Sequence, residues 1–277
     1  MKLLKQSTIA VIFSSFSMFS FAHYPYVAPM SYQTFNNYTA IVSGFYDNPF
    51  SPEIAIKNFK FHYHQPNGEK IHLTDADWTN SKALSSFALE NKQDGTYRIR
   101  GEKQGNSMRY ALHEGQWKAL MKGEPAKDKS VNIKIVYESQ LAKKSKIKTV
   151  TSLELIETFV SRKEVSKHVI HHIHDGFDVQ FITHPNAIKQ NQPVQFKILD
   201  NKLGVANIQT SILAQTHDYG REAKAVQNIT SNEKGELNFS LKDKGQYLLV
   251  IDYQQPFTLK NDDLKRYKYT LAFNVVD

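Results

Sequence analysis

The chain has 277 residues, with 35 Lys and Arg against 27 Asp and Glu for a formal charge of +8, and it contains no cysteine. The missing thiols exclude disulfide staples, cysteine nucleophiles and thiolate metal sites, so any metal must be held by His, carboxylate, amide or the amino terminus. Seventeen Phe and fourteen Tyr supply a packed core, which removes disorder as the default reading.

The first element is a targeting segment. Lys2 and Lys5 precede an apolar run from Ile9 to Phe21, and Ser20-Phe21-Ala22 places small residues at a cleavage position. The run is short for a membrane span, so residues 1–22 read as a secretory signal peptide and the mature chain as periplasmic, without stable membrane insertion. Without Lys2 and Lys5 the charge excess falls to +6. The mature length, roughly 255 residues, suits one large domain or two of ordinary size.

The remaining chain reads as strands, short and rich in β-branched and aromatic residues. In the first half they cover Tyr38–Tyr46, Asn58–His64, Thr96–Arg100, Val131–Tyr137 and Thr149–Ile156, with turn signals at Pro66-Asn67-Gly68, Asp94-Gly95 and Gly101. Helical turns are predicted only within 77–89 and 138–144. In "FHYHQPNG" the period-two spacing puts His62 and His64 on one strand face, within reach of a single ion; an exposed face with surface histidines is the alternative. The lysine knot Lys143-Lys144-Ser145-Lys146-Ile147-Lys148 reads as a solvated turn or guarded strand edge, with an anionic membrane surface as the other reading. Nothing resembles a nucleic-acid-binding module.

The composition shifts at Lys167-His-Val-Ile-His-His-Ile-His-Asp-Gly176. Four of the eleven histidines, His168, His171, His172 and His174, fall here within seven residues. Imidazole is the common ligand for Zn, Cu and Ni, and two ligands in one short segment converge at little entropic cost. A polar linker that happens to be rich in histidine is the alternative. His72, His113, His184 and His217 stand alone and read as surface or hydrogen-bonded residues.

The last hundred residues give six further strands: Phe177–Ile182, Val194–Leu199, Ile208–Leu213, Glu236–Leu241, Gln246–Asp252 and Tyr267–Val275. Asp94-Gly95-Thr96-Tyr97 and Lys244-Gly245-Gln246-Tyr247 both set a tyrosine two residues after a turn glycine, as immunoglobulin-like sandwiches do at their tyrosine corner. The expected architecture is all-β: two immunoglobulin-like β-sandwich domains, 23–175 and 176–277.

Cleavage after Ala22 would leave His23 at the amino terminus, where its α-amino group and ring Nδ1 chelate one metal together. Ala22-His23-Tyr24-Pro25-Tyr26-Val27-Ala28-Pro29 resembles the cleavage pattern of the periplasmic nickel-uptake proteins, the NikK/NikM-like group described by a domain of unknown function. Leu153-Glu154-Leu155, His184-Pro185, Gln192 to Asp200, Thr230 to Phe239 and Gly245 to Leu249 resemble its second half. This chain departs from the pattern with Tyr26 where tryptophan is frequent and Pro25 beside it. The resemblance implies a soluble periplasmic protein of two β-sandwich parts that serves nickel import, with His23 as the one family position carrying metal chemistry.

Enzyme signatures are absent from the sequence: there is no Gly-x-Ser-x-Gly elbow, no His-Glu-x-x-His helix, no phosphate-binding glycine loop and no paired carboxylates. The expected function is therefore non-enzymatic, the capture or delivery of a divalent transition metal for an envelope metal transporter. The metal is nickel, with copper, zinc or cobalt as alternatives, and the candidate ligands are His23, His62, His64, His168, His171, His172 and His174. A copper oxidase of the histidine-brace kind and a non-catalytic adhesive or assembly module are the competing readings. Titration of ordinary imidazoles and of the α-amine predicts weaker binding as pH falls from about 7.5 to about 5.5.

Overall fold

The computed structural model describes residues 24–124, 134–215 and 224–277. The signal segment, His23, His217 and the start of the strand expected from Val131 lie outside the described residues. Among the described residues the helical elements are two single 3-10 turns, Asp75–Asp77 and Glu138–Gln140; all other regular structure is strand. Within 77–89, where a helical turn is expected, only Asp77 is in a 3-10 turn; Thr79–Asn80 and Ser85–Glu90 are strands, and Ser85, Phe87 and Leu89 point inward at a period of two. No helix among the described residues is long and apolar enough to cross a membrane.

Three sheets pack face to face. The first is ordered Tyr24–Pro29, Tyr38–Asn48, Ser85–Glu90, Thr79–Asn80, with Ser51–Ile54 also pairing Tyr38–Asn48. The largest runs from Ile135–Tyr137 through Gln116–Met121, Gly95–His113, Ile147–Arg162, Asp263–Val276, Gly245–Gln254 and Gln209–Ala214 to Ala225–Thr230. Lys60–His64 also joins it on Gly95–His113, and carries Lys70–His72. In the third sheet Val194–Asp200 is flanked by Phe177–Phe181, Leu203–Gly204 and Glu236–Phe239.

The strand Ile147–Arg162 is the pivot. It runs antiparallel to Gly95–His113 and parallel to Asp263–Val276, from Thr149 opposite Asp263 to Thr158 opposite Ala272. The largest sheet thereby carries strands from both sides of Asp175. Both faces of the pivot are covered, and its side chains alternate between two cores. Leu155 and Phe159 pack with Phe181 and Phe196 of the third sheet, whereas Ile156 and Val160 pack with Val27, Ile41 and Phe87 of the first. Phe159 and Phe181 meet edge to face with ring centroids 5.0 Å apart.

The two tyrosines form the expected corners. Tyr97 donates its hydroxyl to the Gln93 carbonyl at 3.2 Å and accepts the Gln93 N–H at 2.8 Å, while Tyr247 donates to the Asp243 carbonyl at 2.7 Å. Each ring enters the core and each hydroxyl returns to the backbone four residues upstream. The preceding glycines sit at φ +117° (Gly95) and +139° (Gly245), values that residues with a Cβ rarely adopt. In the lysine knot, Lys143, Lys144 and Lys146 are exposed as a solvated turn requires. Lys148 departs from this: it is buried, and its ammonium donates to the carbonyls of Leu259 and Asn261.

Candidate metal centre

Directly opposed residues in an antiparallel pair share a face. Across Lys60–His64, Gly95–His113 and Ile147–Arg162 the register sets His62 opposite Arg100 and Arg100 opposite Glu157; the next row is His64, Arg98 and Phe159. Both rows lie on the face covered by the third sheet, because Phe159 points there. The histidine-rich segment crosses the end of these rows just before the chain enters Phe177–Phe181.

Three imidazoles converge at the crossing. Ring centroids are 5.5 Å apart for His62 and His64, 5.6 Å for His62 and His174, and 5.8 Å for His64 and His174. One ligand nitrogen from each lies within 4.8 Å of the other two. His62 and His64 are each 5% exposed, and the Nε2 atoms of all three rings are buried without a hydrogen-bond partner. A metal–nitrogen bond of about 2.0–2.1 Å separates its ligands by about 3.3–3.6 Å, so small ring rotations would close the set around an ion. His172 adds a fourth ring, exposed, with its centroid 4.6 Å from His64 and 4.9 Å from His174.

A carboxylate orients His174. Asp178 Oδ2 accepts the His174 backbone N–H at 2.8 Å and faces the ring Nδ1 at 3.1 Å. The carboxylate can only accept, so Nδ1 carries the proton and Nε2 presents a lone pair to His62 and His64, the arrangement that fixes metal-ligating imidazoles. Beneath it lies a buried ionic lattice. Arg98 and Arg100 donate to Asp178 Oδ1 at 2.8 and 2.9 Å, Arg98 Nε donates to Glu157 Oε1 at 2.6 Å, and the Tyr269 hydroxyl donates to Glu157 Oε2 at 2.6 Å. Burial alone would push the Asp178 and Glu157 carboxyls up, but the two guanidiniums outweigh it and hold both below the usual range. Arg98 also donates to the His172 carbonyl at 2.6 Å, tying the histidine segment to the lattice. Glu157, His174 and Asp178 form a second close set of donor atoms. Their carboxylate oxygens are already taken by Arg98, Arg100, Tyr269 and the backbone N–H of His174 and Val179, so this set supports the imidazoles and leaves ligation to them.

Burial, followed by the nearby charges of Lys70, the neighbouring histidines and Arg100, pulls His62 down to about 2. Burial and His172 pull His64 down to about 4, and His172 and His174 are lowered as well, with burial the main cause. His62 and His64 are therefore already neutral at pH 5.5, and the weakening predicted from ordinary imidazole titration does not apply to them. The cost appears in stability instead. Below about pH 6.5 the unfolded chain binds protons at these two positions that the folded chain does not, so stability is full above 6.5 and falls on acidification. The loss is at most about 1.4 kcal/mol per pH unit for each ring, down to about pH 4 for His64 and about pH 2 for His62. Urea unfolding of metal-free protein at pH 7.5 and 5 should show this decline, and His62→Ala should flatten it.

The remaining sequence candidates are placed elsewhere. His168 is exposed and packs on the Gly68 turn, where an added Cβ would lie 2.4 Å from its Nε2. His171 is exposed, and its backbone N–H faces the Lys167 and His168 carbonyls. His184 is buried and hydrogen-bonded by Thr96, Ser166 and Asn186, as expected of a lone structural histidine. His72 had been set aside, yet it pairs across the hairpin with His62, and the two ring centroids are 5.9 Å apart. The turn at Pro66-Asn67-Gly68 held that information, since a hairpin there folds the following strand back onto His62. Arg98, Arg100, Glu157 and Asp178 were also missed; no motif marks them, and only the alternation of Tyr97-Arg98-Ile99-Arg100 hints at a charged row.

Fold and site together define an all-β, sandwich-type protein whose buried imidazole cluster and adjoining acid groups could hold a metal ion. The chain belongs to the family of the domain of unknown function DUF4198, whose profile matches residues 20–255. No curated protein matches it. Among solved structures it is similar to the D0-D1 domain of intimin, at 8% identity over 89% of this chain and 96% of that one, with a TM-score of 0.22. It is also similar to a DUF4785 family protein from Legionella pneumophila, at 8% identity over 81% of this chain and 50% of that one, with a TM-score of 0.23. A third likeness is to the TIE protein of Bacillus anthracis, at 10% identity over 91% and 40% of the two chains, with a TM-score of 0.18. At such scores these likenesses carry no functional argument.

Proposed function

We propose that the protein is a non-enzymatic periplasmic metal carrier that holds one divalent transition metal on His62, His64 and His174 and passes it to an envelope metal transporter. The observation that supports this reading is the convergence of three imidazoles, each with a buried Nε2 that has no partner. Each such orphan costs on the order of 1–3 kcal/mol, and three on adjoining rings are hard to reconcile with incidental surface histidines on an adhesive module. A metal ion satisfies all three at once. Nickel is favoured by the resemblance to nickel-uptake proteins; an all-imidazole set suits copper, zinc and cobalt too, and the general affinity order favours copper.

The support of the site fits a holding role. The Arg98, Arg100, Glu157 and Asp178 charges cancel, so the ligands sit over a neutral, rigid base rather than a mobile loop. A histidine-brace oxidase would depend on His23, whereas the three proposed ligands, His62, His64 and His174, all lie within the chain. Calorimetric titration of the mature protein with nickel chloride separates these readings. One equivalent is expected, and it should persist when a single residue is added ahead of His23. Loss of binding on that extension would move the site to the amino terminus, and copper-dependent peroxide production abolished by it would favour the oxidase.

A further inference from the structure

A buried site that must also release its ion raises the question of how the ion crosses the covering layer. Stripping a divalent ion of all its water before it meets a ligand is prohibitively costly, so transfer has to proceed one donor at a time. The rings around the triad are arranged for that. His72 touches the triad through His62, at 5.9 Å between centroids, while His172 touches it through His64 and His174, at 4.6 and 4.9 Å. His62 and the pair His64 and His174 are different corners of the triangle, so the two outer rings adjoin it at different corners. Both outer rings are exposed, whereas His62 and His64 are buried and His174 is partly buried.

Each outer ring is also anchored by its backbone. His72 is held in register opposite His62 by the hairpin, and the carbonyl of His172 accepts from the buried Arg98. Their imidazoles thus stay beside the triad while reaching solvent.

We infer that His72 and His172 are exchange ligands that carry the ion between solution, or a partner's nitrogen donors, and the buried triad. This rests on the triad being the metal site. An incoming ion exchanges a water for an outer imidazole, then further waters for the triad nitrogens, and leaves by the reverse order; each step replaces one donor lone pair by another, with no change in oxidation state. Two separate points of approach permit a donor at one and an acceptor at the other.

The test is stopped-flow loading with nickel chloride and unloading into excess chromophoric chelator, for wild type, the double variant His72→Gln/His172→Gln and the control His171→Gln. Melting temperature without metal verifies that each variant is folded. The inference predicts loading and unloading both slowed at least tenfold in the double variant, so that Kd moves less than either rate, with the control at wild-type rates. Wild-type rates in the double variant would overturn it. So would faster unloading with a tenfold or larger rise in Kd, which would make these rings ordinary holding ligands. If wild type itself fails to load, the reading of the triad fails, an outcome distinct from either of these.

Discussion

His64→Ala is expected to lower nickel affinity by at least about 100-fold, and His62→Ala and His174→Ala by similar factors, in competition titrations against a chromophoric chelator. Loss of an outer partner of a metal ligand already costs about 10–100-fold, and these variants remove the ligand itself. The substitutions also separate binding from folding. His62 and His64 are buried neutral rings, pulled down to about 2 and about 4, so removing one takes away a group whose protonation favours the unfolded chain. The metal-free variants should therefore lose less stability than wild type on going from pH 7.5 to 5, even as they lose the ion. Unchanged affinity in all three would remove the triad from consideration.

The second large effect is on stability. Arg98 is fully buried between Glu157 and Asp178, with its side chain over the Phe159 and Phe181 rings. Arg98→Met leaves two buried carboxylates facing one remaining guanidinium, that of Arg100, and removes the donor to the His172 carbonyl. Breaking such a network by deleting one member costs about 3–5 kcal/mol, a large part of the 5–15 kcal/mol that holds a typical domain together. The double variant Arg98→Met/Glu157→Met should be less destabilised than Arg98→Met alone, because it leaves Arg100 paired with Asp178 and no carboxylate in excess. Urea midpoints compared at constant slope measure both. A double variant weaker than the single would mean that Glu157 owes its place to something other than the guanidiniums.

Local patterns carried much of this structure. The period-two alternation and turn glycines located many of the strands, and the two Gly-x-Tyr corners pointed to the immunoglobulin-like grammar. Spacing alone placed His62 and His64 on one face, and density alone marked the segment that supplies His172 and His174. Which histidines meet was a different matter. His168 and His171 look as eligible as His172 and His174 in the sequence, and the choice is made by Asp178, four positions after His174, and by Arg98, 74 positions before His172. The lattice itself was invisible, since Arg98, Arg100 and Glu157 come together only through strand register and Asp178 joins them from the third sheet. The parallel pairing of Ile147–Arg162 with Asp263–Val276 was equally hidden, because both are buried strands and nothing local tells an apolar strand which neighbour it will take.

The central claim is that the metal sits among His62, His64 and His174. Anomalous X-ray scattering at the nickel edge, from crystals of protein loaded with one equivalent, tests it most directly. The account predicts one strong peak about 2.0–2.2 Å from the Nε2 atoms of all three rings. A peak at His23 with the triad empty, or no peak between the three rings, would contradict it.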